Sequence, residues 1–244
     1  MERTLSCTAC VWSADISCQT DCAALLPALD PRFEDVWTDP ASAGRAKDTS
    51  FAYRYADLTT PAPTTAACQT AWNSLCRVVI HYEQHIQPLW TTPRVTLAAD
   101  GVTVLADHTC TSCHSPRDAQ NGPRVPAAQL DLSGEPSTEE PDHVISYREL
   151  LFADNEQEVN MGALQDRLVP GPIDPQTGQP TLVPVAVAPS MSAAGALASS
   201  RFFGRFAAGA THAGFLTAAE QRLISEWLDI GAQYYNDPFA APVN

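Results

Sequence analysis

The clearest hydrophobic pattern in the chain lies close to its C-terminus. Apolar residues recur there at the spacing of one helix face, at Leu223, Ile224, Trp227, Leu228 and Ile230. Thr217 and Glu220 precede them with the spacing of a capping box, and Gly231 follows where a helix end favours glycine. The pattern therefore predicts an amphipathic helix that begins after Thr217 and ends at Gly231.

Shorter helices are predicted in the middle of the chain. Helical spacing begins at Ala66, and a second helical stretch ends before Pro93. Residues 143–152 and 193–207 also predict helices, because each stretch places its apolar side chains on one side. These elements indicate a mainly α fold.

One β-hairpin is predicted between the helices. Residues 95–99 and 102–106 are apolar or β-branched and flank the dipeptide Asp100-Gly101. Such a dipeptide favours a two-residue type I′ turn, which requires positive φ at both positions. Residues 168–190 are rich in proline and predict a loop with one short strand over 182–187.

The charge balance narrows the range of partners. The chain has 28 Asp and Glu residues against 14 Lys and Arg residues, which gives a formal net charge of −14. Such a charge repels phosphate backbones, so we expect no nucleic-acid partner. The longest apolar runs are far shorter than the roughly 20 residues of a membrane-spanning helix, so no membrane span is expected. The acidic surface favours either solubility alone or a redox partner with a basic docking face.

The most specific motif in the chain is Cys110-Thr-Ser-Cys113-His114. Two thiols three positions apart can add to the vinyl groups of one porphyrin, and the next imidazole can then bind its iron. We therefore expect one covalently attached haem c, held by Cys110, Cys113 and His114. A zinc or redox Cys-x-x-Cys site with an incidental histidine is the alternative.

The six other cysteines indicate an oxidising compartment. Cys68 and Cys76 are separated by a short stretch that a disulfide can close. The remaining four stand near the N-terminus, at Cys7, Cys10, Cys18 and Cys22. These four predict either disulfides or a four-thiolate zinc site, and an oxidising compartment favours the disulfides.

The chain is predicted to have two parts. Residues 1–65 are expected to be a Cys-rich, loop-rich segment, and residues 66–244 a haem domain. The first residues carry no apolar segment of the signal-peptide type, although haem c is normally attached outside the cytoplasm. We therefore expect a mature form, or part of a longer secreted precursor, in the periplasm or the extracellular space.

The second axial ligand decides what the iron can do. A sixth protein ligand favours electron transfer, whereas an open iron favours small-molecule chemistry. His212 is the first candidate, because it lies in a predicted loop just before the last helix. Met191 is the alternative, because a thioether ligand raises the reduction potential.

Several stretches of the chain resemble a known family. They are His85-Ile-Gln-Pro-Leu-Trp90, Cys110-Thr-Ser-Cys-His114, Leu130-Asp-Leu-Ser133, Ser146-Tyr-Arg-Glu-Leu150 and the stretch from Leu223 to Asn236. Over roughly residues 66–240 the chain resembles the haem domain of proteins related to the hydrazine synthase alpha subunit, and more broadly the monohaem cytochrome c-like domains of secreted bacterial proteins. The resemblance implies that the motif helix and a C-terminal helix pack around the haem.

The expected fold is therefore mainly α: a cytochrome c-like helical haem domain with a small β-hairpin insertion and a loop-rich, disulfide-tied N-terminal segment. The expected function is covalent haem c binding and electron transfer to or from a redox partner protein. The alternative is a haem-bearing subunit or fragment of a hydrazine synthase-like redox enzyme, in which the iron keeps an open site.

Overall fold

The computed structural model describes most of the chain. The described residues are 32–33, 35–36, 38–47, 51–52, 54–71, 73 and 75–236. They divide into two compact units, one formed by the described residues up to Asp57 together with Thr64–Arg77, the other by Leu58–Pro63 and the residues from Val78 onward. The predictions for Cys7, Cys10, Cys18 and Cys22 lie outside the described residues.

The regular elements are short. The α-helices are α1 (Pro40–Ala43), α2 (Ala66–Thr70), α3 (Gln87–Thr91), α4 (Cys110–Cys113), α5 (Ile145–Leu151), α6 (Ser200–Phe203) and α7 (Ala218–Asp229). The strands are β1 (Arg32–Phe33), β2 (Phe51–Ala52), β3 (Val95–Leu97), β4 (Val104–Asp107), β5 (Asp154–Asn155), β6 (Gln157–Asn160), β7 (Ala163–Asp166), β8 (Leu168–Ile173), β9 (Pro180–Pro184) and β10 (Ala186–Val187). They pair antiparallel as β1–β2, β3–β4, β5–β10, β6–β7 and β8–β9. A π-helical turn, Tyr82–Ile86, leads into α3.

The expectation of a mainly α, cytochrome c-like fold is wrong. Of the described residues, about 28% are helical and about 18% lie in strands, and the strands form several small antiparallel sheets. The largest difference lies in β6 to β9, which form two hairpins. For the part from residue 168 onward, the sequence predicted a proline-rich loop with one short strand. Most side chains of these strands are exposed. Because neither face of these hairpins is buried, no alternation of apolar and polar residues marks them in the sequence.

The predicted C-terminal helix is confirmed as α7. The Thr217 hydroxyl accepts the N–H of Glu220, and the Glu220 carboxylate accepts the N–H of Thr217, which is the capping box expected from the sequence. The buried face comprises Leu223, Ile224, Trp227 and Leu228. Ile230 is 40% exposed, because the helix ends just before it and Gly231 takes a φ of 94°.

Aromatic side chains form the core that joins three helices of the second unit. Tyr82 packs against Tyr147 and Trp227, with ring centroids 5.1 and 5.2 Å away. The indole N–H of Trp90 donates to the Tyr82 hydroxyl, which in turn donates to the hydroxyl of Ser146. The polar ends of these buried side chains are thus paired, as burial requires. This core fixes α3, α5 and α7 relative to one another.

The hairpin of β3 and β4 is confirmed, but the predicted turn type is wrong. Of the two turn residues, Gly101 has a positive φ, of 71°, whereas Asp100 does not. The Asp100 carboxylate accepts the N–H groups of both Val102 and Thr103. This side-chain bonding favours a wider loop, which is closed by the N–H of Ala98 on the Thr103 carbonyl.

A turn with the positive φ values of type I′ occurs elsewhere, between β6 and β7. Met161 and Gly162 have φ values of 51° and 79°, and the register leaves these two residues as the loop. Methionine is not a residue that favours positive φ, so the sequence carries no signal for this turn.

The helix predicted over 193–207 is largely wrong, since α6 is followed at once by the 3-10 turn Gly204–Phe206. Gly195 has a φ of 116°, which is incompatible with a helix. The Ser199 hydroxyl donates to the carbonyls of Ser192 and Gly195, beside the backbone bond from the Ser199 N–H to the Gly195 carbonyl.

The first unit contains the predicted disulfide. Cys68, in α2, is bonded to Cys76, and their Cα atoms are 5.7 Å apart. The helix that begins at Ala66 ends at Thr70, so the chain can return over the short distance that the disulfide closes. The prediction of this pair from its spacing is confirmed.

Candidate haem attachment site

The first four motif residues form α4, and His114 follows it directly. Side chains that precede the helix hold its first turn. The Asp107 carboxylate accepts the N–H of Thr109 at 2.8 Å and the hydroxyl of Ser112 at 2.6 Å. The Thr109 hydroxyl oxygen accepts the N–H of Arg94 at 3.0 Å. These bonds connect α4 to the segment that follows α3.

Cys110 and Cys113 lie on the single turn of α4, and both are free thiols. Cys113 is exposed, whereas Cys110 is partly buried. Burial raises the pKa of the Cys110 thiol, and the nearby Arg94 guanidinium acts in the opposite direction. Two free thiols at this spacing provide the nucleophiles that covalent attachment of a porphyrin requires.

The backbone on both sides of His114 fixes its position at the end of α4. Its N–H donates to the Cys110 carbonyl, and its own carbonyl accepts the N–H of Leu132, both at 2.9 Å. The ring Nδ1 lies 3.2 Å from the Leu130 carbonyl oxygen. A proton on Nδ1 then donates to that oxygen and leaves the lone pair on Nε2, the arrangement usual for a metal-binding histidine. Burial lowers the pKa of His114, which favours the neutral imidazole that a metal requires.

His212 lies opposite His114, in the turns that connect Gly204–Phe206 to α7. The two ring centroids are 6.1 Å apart, with an angle of 34° between the ring planes. Imidazoles that bind one iron from opposite sides through metal–nitrogen bonds of about 2 Å have centroids about 6 Å apart. The Nδ1 of His212 is 2.8 Å from the Thr211 hydroxyl oxygen, and a proton on Nδ1 that donates to this oxygen would leave Nε2 free for a metal. Burial, assisted by Arg205, lowers the pKa of His212.

Aromatic rings pack against His212. Phe206 and Phe215 lie 5.7 and 5.4 Å from the His212 ring, and His108 stacks on Phe215 at 4.1 Å. Phe202 contacts Phe206 at 5.1 Å and extends this apolar wall toward the core. The chemistry of the donor set, two free thiols and two opposed imidazoles beside apolar rings, fits a haem c.

Met191, the alternative axial candidate, lies in the core. Its side chain is 4% exposed, and its backbone N–H donates to the Leu150 carbonyl at 2.8 Å. Of the other histidines, His85 accepts the N–H of His81 on its Nδ1 at 2.9 Å, so it caps the π-helical turn. His143 packs on Tyr234 at 4.4 Å. These contacts give Met191, His85 and His143 structural roles.

Arg94 contributes to this site, and the sequence did not identify it. Its guanidinium donates to both carboxylate oxygens of Glu220, at 3.2 and 2.8 Å, and to the carbonyl of Leu89. The Arg94 and Glu220 side chains are only 13% and 2% exposed. The ion pair therefore joins the α3 region to the first turn of α7, next to Cys110. The capping-box spacing identified Glu220 but gave no indication of its partner.

Arg124 connects the loop that follows the motif to α4. Its Nε donates to the Ser115 carbonyl at 3.0 Å, and one terminal nitrogen donates to the Thr111 carbonyl and the Ser115 hydroxyl. These bonds join the loop after the motif back onto α4. Because they link residues 9 and 13 positions apart, no periodic pattern could reveal them.

No family model matches the chain, and the comparisons with curated proteins and with solved structures also find no match. The resemblance to haem domains of the hydrazine synthase alpha subunit class therefore stays a prediction. Among the described residues, no helix is both long and apolar enough to cross a lipid bilayer.

Proposed function

We propose that this chain binds one haem c covalently through Cys110 and Cys113, with His114 and His212 as its axial ligands, and that it transfers electrons. The observation that carries the proposal is the 6.1 Å separation of the His114 and His212 rings beside two free thiols at the attachment spacing. When bound, a haem supplies a one-electron couple at its iron.

The chain's own residues have separate tasks in this proposal. His114, held by the Leu130 carbonyl, supplies the ligand next to the attachment cysteines. His212 would supply a second protein ligand to the metal and so exclude small molecules from it. Phe206 and Phe215 cover part of the half-buried His212 ring. A metal with two protein ligands in addition to the porphyrin favours electron transfer over binding of substrates.

The compartment and the partner form part of the same proposal. The Cys68–Cys76 disulfide supports a periplasmic or extracellular location, because disulfides persist in oxidising compartments. The formal charge of −14 supports a redox partner with a basic docking face. Electron-transfer rates with such a partner should fall as ionic strength rises, because salt screens the attraction.

Haem attachment is tested by exporting the protein to a periplasm that attaches haem c. The purified protein should show a pyridine haemochrome spectrum and the mass of one added haem after denaturation. Replacing both Cys110 and Cys113 with Ala should abolish the covalent haem, whereas replacing both Cys68 and Cys76 with Ala should retain it. An exported parent protein without covalent haem would overturn the proposal.

The axial ligand is tested by adding carbon monoxide to the reduced protein. The parent should bind it slowly, and His212→Ala should bind it rapidly, because the sixth position is then open. Met191→Leu is the matched control and should leave the absorption spectrum unchanged. If Met191→Leu opens the iron instead, the assignment of His212 is wrong. Rapid binding by the parent would favour the alternative, an open-iron redox enzyme.

A further inference from the structure

A single peptide group lies between His114 and the carboxyl group of Glu149. The carbonyl oxygen of that peptide belongs to Leu130 and lies 3.2 Å from His114 Nδ1. Its N–H belongs to Asp131 and donates to Glu149 Oε2 at 3.4 Å. Because the two groups share one peptide bond, a change in charge at Glu149 alters how strongly the Leu130 oxygen accepts a hydrogen bond.

The surroundings of Glu149 make its charge sensitive to pH. Glu149 lies in α5 and is partly buried. Two other carboxyl groups face it: Asp154 of β5, with which it shares a hydrogen bond, and Asp131, which is 7% exposed. The neighbouring cation on its own helix, Arg148, pairs with Glu139 at 2.6 Å. Burial first, and then the bond to Asp154, raise the pKa of Glu149 to about 8.

We propose that Glu149 tunes the reduction potential of this site through the 130–131 peptide, so that reduction is accompanied by uptake of a proton at Glu149. The inference rests on the proposed function, because it requires a metal bound to His114. Glu149 is a positioning residue in this scheme, since it acts through the peptide and His114.

An ionised Glu149 attracts the N–H of Asp131 and places more negative charge on the Leu130 oxygen. The hydrogen bond from His114 Nδ1–H to the Leu130 oxygen then strengthens, and the imidazole becomes a stronger electron donor at Nε2. A stronger donor stabilises the oxidised metal, so the reduction potential falls. A protonated Glu149 has the opposite effect.

Proton uptake would accompany reduction between two pH limits, the pKa of Glu149 in the oxidised protein and its higher pKa in the reduced protein. In that range the redox partner would supply one electron to the bound haem. The carboxylate of Glu149 takes up one proton from solvent and becomes a carboxylic acid. Oxidation returns the electron to the partner and the proton to solvent.

The test is a spectroelectrochemical titration of the haem-loaded protein from about pH 6 to about pH 10, which brackets the pKa near 8. The parent's potential should fall as pH rises. A tenfold difference in the proton affinity of Glu149 between the two oxidation states corresponds to about 59 mV between the acid and alkaline limits. Glu149→Gln should lose this fall and stay at the parent's acid limit, since glutamine stays neutral.

Two further variants separate the peptide route from a general effect of charge. Glu139→Gln removes a carboxylate that pairs with Arg148 next to Glu149, and it should keep the parent's pH dependence. Asp154→Asn removes the neighbour that raises the pKa of Glu149, so the fall in potential should move to lower pH.

The outcomes distinguish the two proposals. A haem-loaded parent whose potential does not change with pH would overturn the role of Glu149 and leave the proposed function intact. A parental pH dependence in Glu149→Gln, or its loss in Glu139→Gln, would also overturn it. A parent that carries no haem would overturn the proposed function and this inference together.

Discussion

The two histidines that face each other are held in different ways. His114 is bonded to residues at 110, 130 and 132, so segments that are distant along the chain fix it. Its helix α4 is connected in addition to Arg94 and Arg124. His212 depends on Arg205 and Thr211, which are close neighbours in sequence, and on contacts with two phenylalanine rings.

This difference indicates how the two ligands would behave. The surroundings of His114 can open only if several tertiary bonds break together. The turns around His212 contain Gly209 and Gly214 with φ of 78° and 80°, and their short-range bonds can open separately. We therefore expect changes on the His114 side to alter stability strongly, and changes on the His212 side to alter ligation with little effect on stability.

The largest effect is expected from Arg94→Met. Loss of this guanidinium leaves the Glu220 carboxylate buried without its partner, which typically costs about 3–5 kcal/mol. Urea unfolding of the haem-free protein measures it. The control is Arg167→Met, which removes a surface ion pair with Glu156 and should leave the unfolding curve unchanged. Equal unfolding curves for the two variants would contradict a structural role for the buried pair.

A smaller loss is expected from Arg124→Met, which breaks the bonds from the post-motif loop to Thr111 and Ser115. Hydrogen bonds from a charged donor suggest a cost of about 1–3 kcal/mol. On the opposite side of the site, Arg205→Met should unfold like the parent, because the backbone carbonyl of Arg205 makes the bond to His212. If Arg205→Met is the more damaging of the two, our comparison of the two sides is wrong.

The sequence predicted those parts that depend on short-range patterns. The helix α7 follows from its buried apolar face and its capping box. The Cys68–Cys76 pair follows from its spacing, and the existence of the β3–β4 hairpin follows from its two β-rich runs. In each of these, the residues that determine the structure are close together in sequence.

The parts that the sequence could not predict depend on tertiary contacts or on strands without a buried face. The hairpins of β6 to β9 are mostly exposed, so no periodicity marks them. Gly195, with its positive φ, interrupts the helix expected over 193–207. At the candidate site, the sequence marks the attachment motif and proposes His212, whereas the roles of Arg94 and Glu149 depend on distances of 126 and 18 residues along the chain.

The carboxyl group behind His114 gives a pH-dependent prediction for the haem-free protein. The pKa of Glu149 in the folded protein, about 8, lies above its ordinary value of 4.5. Its contribution to stability is therefore full below pH 4.5 and is lost as pH rises through about 8. Glu149→Gln should therefore become more stable relative to the parent as pH increases from about 5 to about 9. We expect a change on the order of 1 kcal/mol, because Glu149 keeps some contact with solvent. Urea unfolding at several pH values measures it, and a difference that is constant with pH would contradict it.

The smallest effect on stability is expected from Thr211→Val, on the His212 side. The substitution keeps the shape of an exposed side chain and removes the hydroxyl that lies 2.8 Å from His212 Nδ1, so unfolding should change by less than about 0.5 kcal/mol. The orientation of the imidazole is then less restricted, and the reduced, haem-loaded protein should bind carbon monoxide severalfold faster than the parent. Thr138→Val, at an exposed threonine remote in sequence from His212, is the control and should bind it at the parent's rate. Equal rates for Thr211→Val and the parent would mean that the phenylalanine rings alone orient His212, and that its side of the site is more rigid than its local bonds indicate.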